Sequence, residues 1–173
     1  MLKGLENQSY LIAYLISNIV ALVLLFCVSL WPRATRLGFL LLFGWASYTN
    51  LSIALSTPQV YEDYAALAFL DLYVDFIRGW FSAHVVEAVS VIALGQALIA
   101  VAMAMKGWVF KAGAVGAILF LVAIGPLGVG SAFPCTLIMA VAMGFLLQGS
   151  QPYLWSATPV QKRGSASYPW RIN

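Results

Sequence analysis

Apolar positions along this chain come in long unbroken runs, not in the narrow stripes of a water-facing helix or the alternation of a half-buried strand, and the runs have the length of a membrane crossing. A spanning helix needs about 20 mostly apolar residues. Residues 10–31, 37–55 and 83–105 each meet that length, and "PRATR" separates the first two. Residues 108–147 are too long for one crossing. The stretch "GPLGVGSAFP", with Gly125, Pro126, Gly128, Gly130 and Pro134, interrupts them as a turn does. The pattern therefore predicts helices over 108–124 and 134–147, the last short enough to need tilt or a thinned bilayer. The first run is longer than the roughly 7–15 residues of a signal-peptide core and no small-x-small site follows it, so it reads as a retained span.

Two segments fall outside the runs. "AALAFLDLYVDFIRGWF" is apolar except for Asp71, Asp75 and Arg78, whose spacing of four and three makes one helical stripe. It predicts an interfacial helix over about 65–81, anchored by Tyr73, Trp80 and Phe81. Three charges in the hydrocarbon would cost several kcal/mol, which argues against a sixth span. Residues 151–173 are rich in Pro, Gly and Ser and read as a cytoplasmic tail. Tyr153, Trp155, Tyr168 and Trp170 set that tail apart from a bland disordered one, and they either dip into the headgroup layer or dock on a partner.

Composition agrees with the pattern. The chain is 62% hydrophobic and only 9% charged, whereas soluble domains carry about 25% charged residues. This implies an all-α integral membrane protein in which 173 residues form one bundle and no second domain. A net charge of +3 without a long basic run gives no reason to expect nucleic acid. The lipid bilayer and other membrane subunits are the expected partners. Cys27 and Cys135 have no metal spacing, and five spans put them near opposite faces, so no disulfide is expected.

Charge placement orients the bundle. With five spans, Arg33, Arg36, Lys106, Lys111, Lys162, Arg163 and Arg171 fall on one side, and Lys3 and Arg78 on the other. That bias is the one expected of a cytoplasmic face. It predicts an inner-membrane protein with the N-terminus out and the C-terminus in. One crossing fewer would move the tail and erase the bias.

The only histidine, His84, lies three residues before Glu87 in "WFSAHVVEAVS", at the outer end of the third run. The i,i+3 spacing puts the two on one helix face. Asp71 and Asp75 come from the neighbouring interfacial segment, and "ASYTNLS" brings Tyr48 and Asn50 toward the same end. Three readings of this group compete. His with carboxylates suits a divalent first-row metal, but a di-iron bundle needs a Glu-x-x-His motif twice, and here a single pair runs in reverse order. A proton-titrating or ligand-binding pocket is the second, since ionisable residues in spans are functional candidates. The third is a hydrogen-bonded fastening at the water boundary, with Asn50 and Gln96 serving as glue between helices. "KAGAVGAILF" supplies Gly113-x-x-x-Ala117 for close helix approach. No GxSxG, HExxH, CxxCH or phosphate-loop motif occurs, and one histidine excludes bis-histidine haem within the chain.

From the second run onward, "SYTNLSIALSTPQVYEDYA" followed by an acid in "HVVEAVSVIALGQALIAVAM" and two further spans resembles the DoxX-like group of small bacterial membrane proteins. The resemblance covers roughly residues 38–148 and leaves the first helix as an addition to a four-helix core. The lysine that often closes the family's first helix is absent. The resemblance implies an accessory subunit of a quinone-linked, respiratory or photosynthetic complex, with no cofactor in the chain itself and quinone or pigment in the partner. It carries over only Glu87, as a polar anchor. The leading expectation is thus a non-catalytic subunit. A small transporter or binding protein with a pocket of His84, Glu87, Asp71, Asp75, Tyr48 and Asn50 is the alternative, and a quinone-interacting redox protein the third.

Overall fold

The computed structural model describes residues 4–149 and 152–156. All the regular structure among them is helical: α1 (Gln8–Leu30), α2 (Pro32–Ser56), α3 (Tyr64–Leu67), α4 (Asp71–Phe76), α5 (Val85–Ala104), α6 (Gly107–Ile124) and α7 (Cys135–Leu147). Four of the helices, α1, α2, α5 and α6 with the 3-10 segment that prolongs it to Ser131, are long and apolar enough to cross a membrane. The fifth apolar helix, α7, has 13 residues. At about 1.5 Å per residue it is near 20 Å long, short of a roughly 30 Å hydrocarbon core.

The five apolar helices form a closed ring, in which each packs on two others: α1 on α2 and α7, α2 on α5, α5 on α6, and α6 on α7. The main core fills one half of that ring. There Phe39 and Phe43 of α2, Met103 of α5, Phe110 of α6, and Met143 and Leu146 of α7 are buried together. Small residues bring the backbones close. A Cβ at Gly113 of α6 would collide with Ala102 of α5, and Ala114 and Ala117 are fully buried on the same face. The outward faces stay apolar: α1 alone exposes Ile12, Leu15, Ile16, Ile19, Leu22 and Phe26. Such surface is expensive in water and is solvated by acyl chains or a neighbouring subunit in a bilayer.

Helix α2 begins five residues earlier than the hydrophobic run. Pro32 occupies its first turn, where the missing N–H costs nothing, so "PRATR" is helical and not a loop. The interfacial segment departs in the opposite sense. Ala68 and Leu70 are extended, splitting α3 from α4, and the chain from Ile77 to Phe81 widens into a π-turn with non-helical backbone at Gly79. The expected continuous helix over 65–81 is therefore three short pieces that bend over the end of the bundle.

Those pieces roof the second half of the ring together with the 125–134 turn. The Phe69 amide donates to the Pro126 carbonyl at 2.9 Å, Tyr73 Oη donates to the Ala123 carbonyl at 2.6 Å, and Phe69 and Phe133 meet edge to face at 5.3 Å. Gly128, at φ 67° and ψ −129°, allows the contact, because a Cβ there would strike the Leu67 carbonyl oxygen and the Phe69 ring. Asn18 Nδ2 of α1 donates to the Ala132 carbonyl at 3.1 Å and ties the first helix to the same roof.

Candidate functional site

The most densely bonded polar group is one that the hydrophobic pattern assigns to a loop. Arg36 sits in the second turn of α2, 0% exposed. Its position three and seven residues before Phe39 and Phe43 places it on the core-facing side. Its Nε and Nη2 donate to the Met103 carbonyl at 2.9 and 2.6 Å, Nη2 also donates to the Met105 carbonyl, and Nη1 donates to the Pro152 carbonyl at 2.6 Å. The guanidinium also faces the Phe110 ring at 4.6 Å. The last carbonyls of a helix have no partner within it and carry its negative dipole end. Here Arg36 takes Met103 and Met105, the Met105 amide takes Ala102, and the Leu154 amide takes Ala104 at 3.0 Å. A cation that is bonded to several oxygens and stacked on a ring tolerates burial that a bare one does not.

This end of the bundle also holds the start of the tail. Tyr153 and Trp155 stack at 4.7 Å, and Lys106 Nζ lies 4.8 Å from the centre of the Tyr153 ring. Trp155 remains exposed. Tyr168 and Trp170 lie outside the described residues.

A second polar connection runs through the seam between α2 and α5. Asn50 Nδ2 donates to Gln96 Oε1 at 2.9 Å, and Tyr61 Oη lies 3.0 Å from Asn50 Oδ1 and 3.1 Å from its backbone oxygen. Ser47 Oγ donates to the Ala93 carbonyl at 2.7 Å. Burial, and secondarily the neighbouring Tyr64, pushes the Tyr61 hydroxyl up to about 12. Asn50 is thus occupied in joining helices, and Tyr48, from the same cluster, points away at 73% exposure.

His84 and Glu87 do not bond to each other. Helix α5 starts at Val85, so His84 is its cap residue, outside the helical spacing that would align the pair. The His84 ring stacks on Trp80 at 4.8 Å, and its Nδ1 lies 2.9 Å from the Trp80 carbonyl. A carbonyl can only accept, so in this contact Nδ1 carries the proton. Glu87 occupies the first turn of α5, where the helix dipole favours a carboxylate. It lines a cleft of about 260 Å³ with Glu62, Gln59 and Ser82. Asp71 and Asp75 are exposed on α4 and do not line it. Of the six residues expected to share an outer pocket, Glu87 alone reaches this cleft. No group of three or more His, Cys, Asp or Glu positioned to hold a metal occurs among the described residues.

Sequence reasoning missed Arg36, Tyr61 and Asn18. For Arg36 a signal existed: Pro at the first helical position followed by buried aromatics at helical spacing. Comparison with family models, curated proteins and solved structures finds no match to this chain.

Proposed function

We propose that the protein is a five-span subunit of a larger membrane assembly, with its N-terminus outside and its C-terminus in the cytoplasm, and that its role is to brace that assembly without catalysing a reaction. The observation that supports this most is the use made of its polar side chains. Arg36, Asn50, Gln96, Ser47, Asn18 and Tyr73 each bond to another segment of the same chain, while the outward faces remain apolar and fit lipid or neighbouring helices. For the orientation, Arg33, Arg36, Lys106 and Lys111 share one end, as the positive-inside rule expects of a cytoplasmic side. A tilted α7 in a locally thinned bilayer completes the fifth crossing. The resemblance to DoxX-like proteins points the same way, to a quinone-linked, respiratory or photosynthetic complex whose cofactors belong to the partner. Purification from native membranes in a mild detergent tests the reading. The protein should migrate with fixed partners in constant ratio, and a monomer under those conditions would contradict it.

The cleft with Glu62 and Glu87 favours one other reading, an outer-facing binding protein for a small cationic ligand. Saturable binding that Glu87→Gln abolishes, in protein free of partners, would replace the subunit reading with this one.

A further inference from the structure

The basic end of the bundle contains a cleft that the subunit reading does not use. It measures about 370 Å³, and Lys106, Phe110, Lys111, Leu147, Gly149 and Pro152 line it. Phe110 and Pro152 are also two of the groups that Arg36 touches, so the buried guanidinium lies directly behind the cleft wall. Lys106 and Lys111 rest near the rings of Tyr153 and Trp108, at 4.8 and 5.5 Å. A ring face holds an ammonium without neutralising it, and neither lysine forms an ion pair among the described residues. All six carboxylate side chains of the chain (Glu6, Glu62, Asp63, Asp71, Asp75 and Glu87) belong to segments at the opposite end. The cleft therefore concentrates positive charge with no acid to balance it.

We infer that this cleft is a binding site for the phosphate headgroup of an anionic phospholipid. A lipid fits better than a free anion because the cleft opens between helix ends whose flanks are apolar. Trp31, at the close of α1, and Trp108, at the start of α6, are both exposed at this end of the bundle, and aromatic rings of that kind mark a membrane boundary. The two lysines take the phosphate, and the acyl chains follow the apolar surface of α6 beside Val109, which is exposed. Anionic lipid lies on the face that the basic end would contact. The inference requires a bilayer but no partner subunit, so it stands or falls separately from the proposed assembly.

The test uses the full chain reconstituted in nanodiscs of equimolar phosphatidylglycerol and phosphatidylcholine, extracted in mild detergent and weighed by native mass spectrometry. Wild type should retain phosphatidylglycerol with a preference of roughly tenfold. Lys106→Gln/Lys111→Gln should lose that preference, and Lys106→Arg/Lys111→Arg should keep it. Arg78→Gln, at the other end, should leave it unchanged. Both lysines are exposed, so the variants should elute as wild type does. If they do not, the wild-type thermal midpoint in the two pure lipids decides, and it should be higher in phosphatidylglycerol. Equal retention of the two lipids, retention that the Gln pair does not change, or equal midpoints would overturn the inference. Displacement of the lipid by millimolar inorganic phosphate would also overturn it, in favour of a soluble-anion site.

Discussion

At one end of the bundle a single guanidinium is bonded to three backbone carbonyls from two chain segments, and at the other six carboxylates stand exposed without an ion pair among the described residues. The basic end is also where the large aromatic and sulfur-containing side chains pack, whereas the acidic end is closed by a roof of short helical pieces, backbone bonds and ring contacts. The difference follows from where each charge sits. Arg36 lies inside the ring, where water cannot reach it, so it must satisfy its donors from the chain and in doing so fixes α2, α5 and the tail relative to one another. Glu6, Glu62, Asp63, Asp71, Asp75 and Glu87 keep their hydration, so they need no ionic partner and join no helices. A charge in a membrane protein informs about structure when it is buried and about orientation when it is not.

The largest effect expected from this contrast is at Arg36. Arg36→Met should destabilise the purified protein by about 3 kcal/mol or more, because each buried acceptor left unsatisfied costs roughly 1–3 kcal/mol. Arg36→Lys should recover only part of the loss, since an ammonium cannot reproduce the planar fork. Thermal unfolding in detergent measures both, and a midpoint unchanged in Arg36→Met would remove the distinction between the ends.

The next effect belongs to the seam of α2 and α5. A double-mutant cycle of Asn50→Ala and Gln96→Ala should show a coupling of about 0.6–1.7 kcal/mol, the range for hydrogen bonds between helices in membranes. Additive losses would mean that the bond contributes nothing.

A smaller effect appears only in alkali. Tyr61 titrates near 12 in the folded protein instead of the ordinary 10.0, chiefly through burial. With the folded value raised, its contribution is complete below pH 10 and is lost as pH rises through about 12. Stability measured across that window should fall in wild type and fall less in Tyr61→Phe. Parallel curves would place Tyr61 in water.

The smallest effects are expected among the exposed acids. Asp71→Asn, Asp75→Asn and Glu87→Gln should each change stability by less than about 0.5 kcal/mol, as surface substitutions do. A loss near that of Arg36→Met in any of them would reveal a structural carboxylate and make the two ends alike.

The apolar runs made the long helices legible, because a membrane span is a matter of length and composition, and 10–31, 83–105 and 108–124 differ from α1, α5 and α6 by only one or two residues at most ends. Partnership was less legible. Asn50 and Gln96 are 46 residues apart, and each helix face can be read while the bond across the seam cannot. Arg36 was hidden because a hydropathy reading stops at the first charge, although Pro32 already starts the helix there. The 65–81 segment broke where Ala68 and Leu70 turn extended so that Phe69 can bond to Pro126, a tertiary demand with no local mark. His84 and Glu87 look aligned in the sequence because the apolar run begins at Ala83. The start of α5 at Val85 removes His84 from the helical face.

The most direct test of the account is which end of the bundle faces the cytoplasm. Single cysteines at Gln59, in the acidic roof, and at Ser165, in the C-terminal segment, would be introduced into protein with Cys27 and Cys135 replaced. Both would then be exposed to a membrane-impermeant thiol reagent. On intact cells Gln59→Cys should react and Ser165→Cys should react only after permeabilisation. Equal labelling of the two on intact cells, or the reverse order, would contradict a bundle whose basic end lies inside.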